Sequence, residues 1–299
     1  MMRHSIDRRG LLRQTLTGAA GLSLLGGLGG PAFAAEAGAS RRLEGNIRHA
    51  VARWTFDFLP LESLCRVAGR LGMSAIDLVG PEEWPVLKRH GLDCSMCNGA
   101  ELSLEEGWGD DRYHAALVER YLQHIDRVSA AGYTNLICFS GNARGMSPEQ
   151  GLDNAEAGLK RILERAEQKG VVLQMELFNS KVDHPDYLCD NSAWGIELCR
   201  RLDSPSFKLL YDIYHMQISE GDVIRTIREN HQYFGHYHTA GVPGRHEIDD
   251  SQELNYPAIC RAIRDTGFQG YVAQEFLPDR ENDQAKIESL EAAVRLCDV

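Results

Sequence analysis

Four segments in the second half of the chain each place a carboxylate or an imidazole near the end of a β-rich run. These runs read VLQMELFN, LLYDIYH, GHYHTAG and YVAQEF. The side chains concerned are Glu176, Asp212, His238 and Glu275, with His236 two positions before His238. Alternate residues of a strand share a face, so these side chains can point toward one interior. Because buried charges are costly unless they are paired or bound to a metal, the set predicts a common partner.

A divalent cation is the simplest partner for three carboxylates that would otherwise repel one another. Three oxygen ligands and one nitrogen suit Mn²⁺, Mg²⁺ or Co²⁺ better than structural Zn²⁺. Taken singly, a strand-end Glu is usually a salt-bridge partner and a strand His usually a core or rim residue. Their recurrence on consecutive runs favours a metal site. We assign His238 as the ligand and His236 as a residue behind it.

The elements that position these residues alternate regularly from residue 45 onward. We predict eight strands: His49–Phe56, Ser74–Val79, Leu92–Cys97, Thr134–Phe139, Val171–Phe178, Phe207–Ile213, Tyr233–His238 and Gly270–Phe276. We predict eight helices: Leu61–Leu71, Glu82–Lys88, Arg112–Ala131, Pro148–Lys169, Tyr187–Arg201, Gly221–Glu229, Tyr256–Thr266 and Asp283–Cys297. Strand–helix units in series indicate parallel strands.

An α/β fold with a single (β/α)₈ TIM barrel over residues 45–299 fits this length and pattern. The alternative is a doubly wound open sheet, but no G-x-G-x-x-G motif follows the first strand. In a barrel of this kind, the loops that follow the strands form the catalytic face. The candidate ligands therefore lie at the barrel mouth.

The first 34 residues have a different character. A basic start precedes a Gly-rich apolar stretch, and Ala32-Phe33-Ala34 forms a small-x-small cleavage site. This layout is typical of a cleavable signal peptide. The segment DRRGLLR resembles a twin-arginine export motif, with an ordinary secretion signal as the alternative. We predict a periplasmic protein with no membrane anchor after cleavage, and a cytoplasmic location is the alternative.

The composition indicates a globular protein and disfavours nucleic-acid binding. Apolar residues make up 43% of the 299 residues and charged residues 25%, which is typical of a globular protein. The 43 acidic residues outnumber the 32 basic ones, for a net charge of −11, which disfavours nucleic-acid binding. The eight cysteines are interpreted as reduced core residues. Cys94 and Cys97 have CxxC spacing, but on a strand they should point to opposite faces.

Five stretches carry a resemblance to a known family. They are CFSGNARGMS (138–147), MELFNSKVDH (175–184), KLLYDIYHMQISEGDVI (208–224), GHYHTAGVPGRHEIDDSQELNY (235–256) and GYVAQEF (270–276). On the basis of these stretches, the chain resembles the hydroxypyruvate isomerase family within the xylose isomerase-like TIM-barrel superfamily. Two departures concern the substrate. The chain has HYH where many hydroxypyruvate isomerases have HIQ, and QEFLP where they often have LEYKP.

The resemblance implies a metal-dependent isomerase. It implies that Glu176, Asp212, His238 and Glu275 hold the metal, and that Glu176 and Glu275 exchange substrate protons. His215 and Arg245 match substrate-binding positions of the family. The implied reaction is an enediolate isomerisation of the kind that converts hydroxypyruvate to tartronate semialdehyde. A sugar or keto-sugar isomerase or epimerase is the alternative, and a non-catalytic sugar-binding protein is a lesser one.

Other candidates stand on the predicted mouth loops. Arg245 can grip a substrate carboxylate in a two-bond fork, or it can pair within its own loop with Glu247 or Asp249. Trp108, in a Gly-rich segment, is a candidate lid. Further candidates for contact with substrate hydroxyls are Asn142, Asn179, Lys181 and His184. The expected partner is a small hydroxy-keto acid or sugar; the sequence leaves a homo-oligomer open.

Overall fold

Eight parallel strands follow one another in chain order and close into a barrel in the computed structural model, which describes residues 42–299. The predicted signal segment lies outside the described residues. The strands are β1 (Arg48–Ala52), β2 (Ala75–Val79), β3 (Asp93–Cys97), β4 (Asn135–Cys138), β5 (Val172–Glu176), β6 (Phe207–Asp212), β7 (Phe234–Thr239) and β8 (Tyr271–Gln274). Pairing of β8 with β1 closes the sheet. This confirms the predicted (β/α)₈ barrel and excludes an open sheet.

The helices connect successive strands. They are α1 (Leu61–Arg70), α2 (Trp84–Arg89), α3 (His114–Ala131), α4 (Pro148–Lys169), α5 (Ser192–Leu202), α6 (Ile213–Ser219), α7 (Val223–Asn230), α8 (Tyr256–Asp265) and α9 (Asp283–Cys297). Within residues 42–299, no helix combines the length and apolar character needed to cross a membrane.

Helix ends follow the expected local chemistry. The Ser147 hydroxyl accepts a hydrogen bond from the Gln150 N–H and so caps the start of α4. Gly132 and Gly170 end α3 and α4 in the left-handed conformation, with φ of 81° and 65°. Glycine adopts this conformation without a steric penalty, so both helices stop directly before the next strand.

Five strands, β1, β4, β5, β6 and β8, end earlier at the mouth than predicted. β1 ends at Ala52, and Trp54–Phe56 forms a 3₁₀ turn instead of continuing the strand. The short helix α6 begins directly after β6 and was not predicted. Aromatic and β-branched side chains persist in these segments although the ladder of strand hydrogen bonds has ended, so residue type alone extends the prediction too far.

The Gly-rich segment after β3 is packed into the core, so the lid predicted at Trp108 is wrong. The Trp108 ring is fully buried against Tyr121, at 5.2 Å between ring centroids. Its backbone N–H donates to the Phe139 carbonyl at 3.0 Å. A Cβ on Gly107 would lie 2.3 Å from the backbone nitrogen of Gly141. The glycines here permit close backbone contact, and no mobility follows from them.

All eight cysteines are buried and unpaired, which agrees with the prediction of core thiols. Burial raises the pKa of Cys97 well above its usual range. The Sγ atoms of Cys94 and Cys97 nevertheless lie 3.6 Å apart, so the expectation of opposite faces is wrong. The register between β2 and β3 shifts twice, and these irregularities break the strict alternation of side chains.

Candidate metal and active site

Four buried side chains converge at the barrel mouth. Glu176 is the last residue of β5, Asp212 is the last of β6, His238 lies in β7 and Glu275 directly follows β8. One potential ligand atom from each lies within 4.8 Å of the others. None of the four side chains is more than 3% exposed. The barrel thus brings together the four residues selected from the strand-end pattern.

His238 Nδ1 lies between the two glutamates. It is 3.0 Å from Glu176 Oε1 and 3.1 Å from Glu275 Oε2. Arg245 places its Nη2 2.6 Å from Glu275 Oε2 and 3.8 Å from Asp212 Oδ2. Without a metal, the positive groups that face the three carboxylates are therefore this imidazole and this guanidinium.

The carboxylates cannot all keep their ordinary ionisation. Burial, together with the charge of Glu275, raises the pKa of Asp212 to about 8. Burial also raises the pKa of Glu176 to about 6, against the opposing charge of His238. For Glu275 burial is outweighed, and the charges of His238 and Arg245 hold its pKa well below its usual range. Crowded acids with oxygen and imidazole donors fit a divalent cation, which would neutralise them together.

Asp77 is a site residue that the sequence analysis did not select. Its fully buried carboxylate lies 2.8 Å from His238 Nε2 and 3.0 Å from His236 Nε2, and it accepts a hydrogen bond from the Ser95 hydroxyl. An N–H on His238 Nε2 that donates to Asp77 leaves the Nδ1 lone pair facing the glutamates. Asp77 thus sets which nitrogen can bind a metal. His236 lies behind His238, on the other oxygen of the same carboxylate.

The sequence signal for Asp77 is an acidic residue in the middle of the apolar strand AIDLV. Its partner His238 lies 161 positions later in the chain. Only the closure of the barrel brings the two together, so strand periodicity could not pair them.

Arg245 and Trp54 orient Glu275. The Trp54 Nε1–H donates to Glu275 Oε1 at 2.9 Å, and the Arg245 guanidinium lies 5.2 Å from the centre of the Trp54 ring. Arg245 has a left-handed backbone, with φ of 61°. Its carbonyl accepts a hydrogen bond from the Leu277 N–H at 2.7 Å, which ties its loop to the segment after β8. Arg245 therefore pairs with Glu275, and not with Glu247 or Asp249 in its own loop.

His215 lies beside Asp212 in the first turn of α6. Its backbone N–H donates to Asp212 Oδ1 at 3.1 Å, so the carboxylate also caps the helix. Burial and the charge of Arg245 hold the pKa of His215 well below its usual range, so the ring is neutral. Its Nδ1 accepts from Asn179 Nδ2 at 2.7 Å. Within the described residues its buried Nε2 has no hydrogen-bond partner and lies 3.7 Å from Asp212 Oδ2.

Two predicted substrate contacts have other partners. Asn179 Oδ1 accepts the backbone N–H of Val182 at 2.9 Å, and so braces the loop after β5. Lys181 donates to the carbonyls of Ile218 and Ser219 at the end of α6. Neither residue lines the cavity above the four converging side chains. The hydrogen-bonding needs of the loop itself occupy these two side chains.

A cavity of about 550 Å³ opens above the candidate ligands. His184 lines it and stacks on Phe178 with ring centroids 4.2 Å apart. The complete lining is Trp54, Leu78, Asn98, Glu101, Leu102, Ser103, Leu104, Ile137, Phe139, Glu176, Phe178, His184, Arg245 and Glu275. Two of these residues are the glutamates predicted to exchange protons, so a small molecule in the cavity reaches both.

A family model described as a xylose isomerase-like TIM barrel matches residues 84–296, more than half of the chain. The chain belongs to the xylose isomerase-like TIM barrel family. This barrel is 27% identical to the putative hydroxypyruvate isomerase of Homo sapiens over 253 residues, which are 75% of this chain and 87% of the relative. It is 34% identical to the 2-oxo-tetronate isomerase of Cupriavidus necator over 113 residues, which are 38% of this chain and 43% of the relative.

A solved structure gives the same fold. The 3-keto-D-glucoside 4-epimerase of E. coli superposes with a TM-score of 0.70 and 19% identity, over 83% of this chain and 99% of that chain. Several curated relatives are matched over only about two fifths of their length. These comparisons confirm the superfamily that the sequence resembles. The relatives' names agree with the predicted class of isomerase.

Metal binding by this xylose isomerase-like barrel should strengthen as the pH rises. Ligand carboxyls must lose their protons to bind a cation. Glu176, with a pKa of about 6, and Asp212, with a pKa of about 8, hold protons below those values. We expect the Mn²⁺ dissociation constant to fall at least about tenfold from pH 6 to pH 8, with release of protons. Calorimetry in two buffers of different ionisation enthalpy measures both quantities. An affinity independent of pH would contradict the assignment of these ligands.

Replacing Asp77 by Asn should weaken metal binding about 10- to 100-fold. The Asn amide can present an N–H to His238, which favours a proton on Nδ1 instead of Nε2. Ser95→Ala is the matched control, since it removes a contact to Asp77 and leaves both imidazoles in place. Titration calorimetry gives the affinities, and ¹⁵N NMR of the Mg²⁺-loaded protein shows which His238 nitrogen carries the proton. Unchanged affinity and tautomer in Asp77→Asn would refute this role.

Proposed function

We propose that the protein is a metal-dependent isomerase that moves a proton between neighbouring carbons of an α-hydroxy carbonyl compound. Hydroxypyruvate to tartronate semialdehyde is the reference reaction. The observation that carries this proposal is the position of Glu176 and Glu275, from β5 and β8, on the same imidazole nitrogen at 3.0 and 3.1 Å. Two carboxylates at one centre can act as the base and the acid of a proton relay.

Glu176, Asp212, His238 Nδ1 and Glu275 would hold the divalent cation. When bound, the cation supplies charge stabilisation for the oxygens of the substrate as a C–H proton leaves. One glutamate takes the proton from the carbon that bears the hydroxyl, and an enediolate remains. The other glutamate returns a proton to the neighbouring carbon, and the hydroxyl proton passes to the former carbonyl oxygen. Trp54 and Arg245 hold Glu275 in position during this exchange.

A second candidate is an isomerase or epimerase of a larger keto-sugar. The supporting observation is the cavity volume of about 550 Å³, which leaves room beside a three-carbon acid. A protein that only binds sugar would have no need for two glutamates at one centre.

Product analysis tests the proposal. The metal-free protein, obtained with a chelator, and the protein reloaded with Mn²⁺, Mg²⁺ or Co²⁺ are each incubated with hydroxypyruvate, 2-oxo-tetronate and ketoses, and products are followed by ¹³C NMR. We expect isomerised or epimerised product only after reloading. Equal turnover by the metal-free protein would overturn the metal dependence. No product from any of these substrates would overturn the proposed reaction.

We also propose export to the periplasm through the twin-arginine pathway, on the strength of the DRRGLLR segment. Replacing both Arg8 and Arg9 by Lys should leave the precursor in the cytoplasm of a host with this pathway. The control replaces Arg3 and Arg13 by Lys, which leaves the arginine pair intact. Fractionation and immunoblotting give the distribution. Normal export of the Arg8/Arg9 variant would show that the pair is not an export signal.

A further inference from the structure

We propose that Glu101 selects substrates by charge. It favours a neutral polyhydroxyl chain and disfavours a substrate whose end distant from the reacting carbons is anionic. This inference rests on the proposed function, because it concerns the substrate of the same site. It names a residue that determines specificity between neutral and anionic members of the keto-sugar substrates considered above.

The segment after β3 forms a polar wall of the cavity with Asn98, Glu101 and Ser103. Glu101 Oε2 accepts the Gly99 backbone N–H at 2.8 Å, which holds the carboxylate in place. Within residues 42–299 no further hydrogen bond reaches this carboxylate, so Oε1 remains able to accept one. Ser103 Oγ accepts the N–H groups of the two residues that begin at Glu105, so its own O–H is available to donate. These groups complement hydroxyls, which both donate and accept.

The cavity lining provides little positive charge for an additional anion. Among the described residues that line it, Arg245 is the one guanidinium and no lysine is present. Its Nη2 lies 2.6 Å from Glu275 Oε2, so its charge is already paired with that carboxylate. Burial lowers the pKa of His184, which leaves this ring neutral. A terminal carboxylate or phosphate at the polar wall would therefore meet Glu101 without a compensating cation, and such like-charge contacts select against a ligand.

The size of the cavity favours a longer chain. Its volume of about 550 Å³ lies in the range of pockets that enclose whole small molecules. One side is aromatic, where Phe139 and Phe178 stack with centroids 5.7 Å apart. Such faces pack against the C–H groups of a sugar. The volume leaves room for a chain longer than a three-carbon acid, and Asn98, Glu101 and Ser103 line the same cavity as Glu176 and Glu275.

The test compares substrates that differ in terminal charge. Metal-loaded protein in D₂O is given the D-ketohexoses, hydroxypyruvate, and the matched pair D-fructose and D-fructuronate, which differ by CH₂OH against carboxylate at C6. Deuterium incorporation is followed by mass spectrometry, and calorimetry gives the affinities of the pair. We expect the wild type to prefer the neutral member of the pair by at least about tenfold in both measurements.

Variants of Glu101 assign the preference to this residue. Glu101→Gln should bring the two affinities close together, and Glu101→Lys should reverse their order. Glu119→Lys makes the same change of charge on the exposed face of α3 and should keep the wild-type ratio. Thermal melting confirms that each variant is folded. An unchanged ratio in Glu101→Lys, or exchange confined to hydroxypyruvate, would overturn the inference and leave the proposed function intact. No exchange into any substrate would overturn both.

Discussion

Glu176→Gln and Glu275→Gln should each lower turnover at least about 100-fold, because each removes a positioned acid–base group. The amide oxygen of Gln can still contact a cation, so metal content should fall less than activity. The double variant should be little worse than either single one, since loss of one group already breaks a relay of two. Steady-state rates on a substrate that the wild type turns over give these ratios.

The two single variants should differ in isotope exchange. The variant that retains the abstracting base should still incorporate deuterium from D₂O into the substrate without forming product, and the other should do neither. Glu229→Gln, at an exposed position of α7, is the matched control and should keep wild-type turnover. If both site variants kept near-normal turnover with metal bound, a single-base reaction or a simple binding protein would replace the mechanism proposed here.

Asp212→Asn should lose metal as its primary defect. The side chain would lose its charge but keep an oxygen for the His215 N–H, so the start of α6 is preserved. With one of the charged ligands gone, we expect the Mn²⁺ affinity to fall at least about 100-fold while the fold is retained. Calorimetry measures the affinity, and circular dichroism and thermal melting measure the fold.

Asp212→Ala separates the two roles of this residue. It removes the ligand and the helix cap together, so it should lose stability that Asp212→Asn keeps, by about 1 kcal/mol. Full metal occupancy in either variant would show that Asp212 is not a ligand.

The barrel was predictable because it rests on local, repeated signals. Gly132 and Gly170 end helices where their freedom of φ is needed, and each precedes a strand. Eight such units leave few ways to bury every strand on both faces. The converging residues were predictable for a related reason: successive parallel strands end at the same rim, so strand-end carboxylates such as Glu176 and Glu275 must lie near one another.

Contacts across the barrel and within loops were not predictable in the same way. Asp77 and His238 meet only because the sheet closes into a barrel. The periodicity of side chains along one strand cannot predict that contact. Lys181 lies on a loop, where position along the chain does not give the direction of a side chain. Trp108 shows the same difficulty, because the glycines around it are equally consistent with a mobile lid and with close packing against a neighbouring loop.

The most direct test of the account is the position of the metal. Crystals of the protein soaked with Mn²⁺ would be measured for anomalous scattering at the manganese edge. We predict one strong peak for each chain, within coordination distance of Glu176, Asp212, Glu275 and the Nδ1 atom of His238. The Nε2 atom of His238 should remain hydrogen-bonded to Asp77. A peak at Cys94 and Cys97, a peak between Asp77 and His236, or no peak at the barrel mouth would contradict the account.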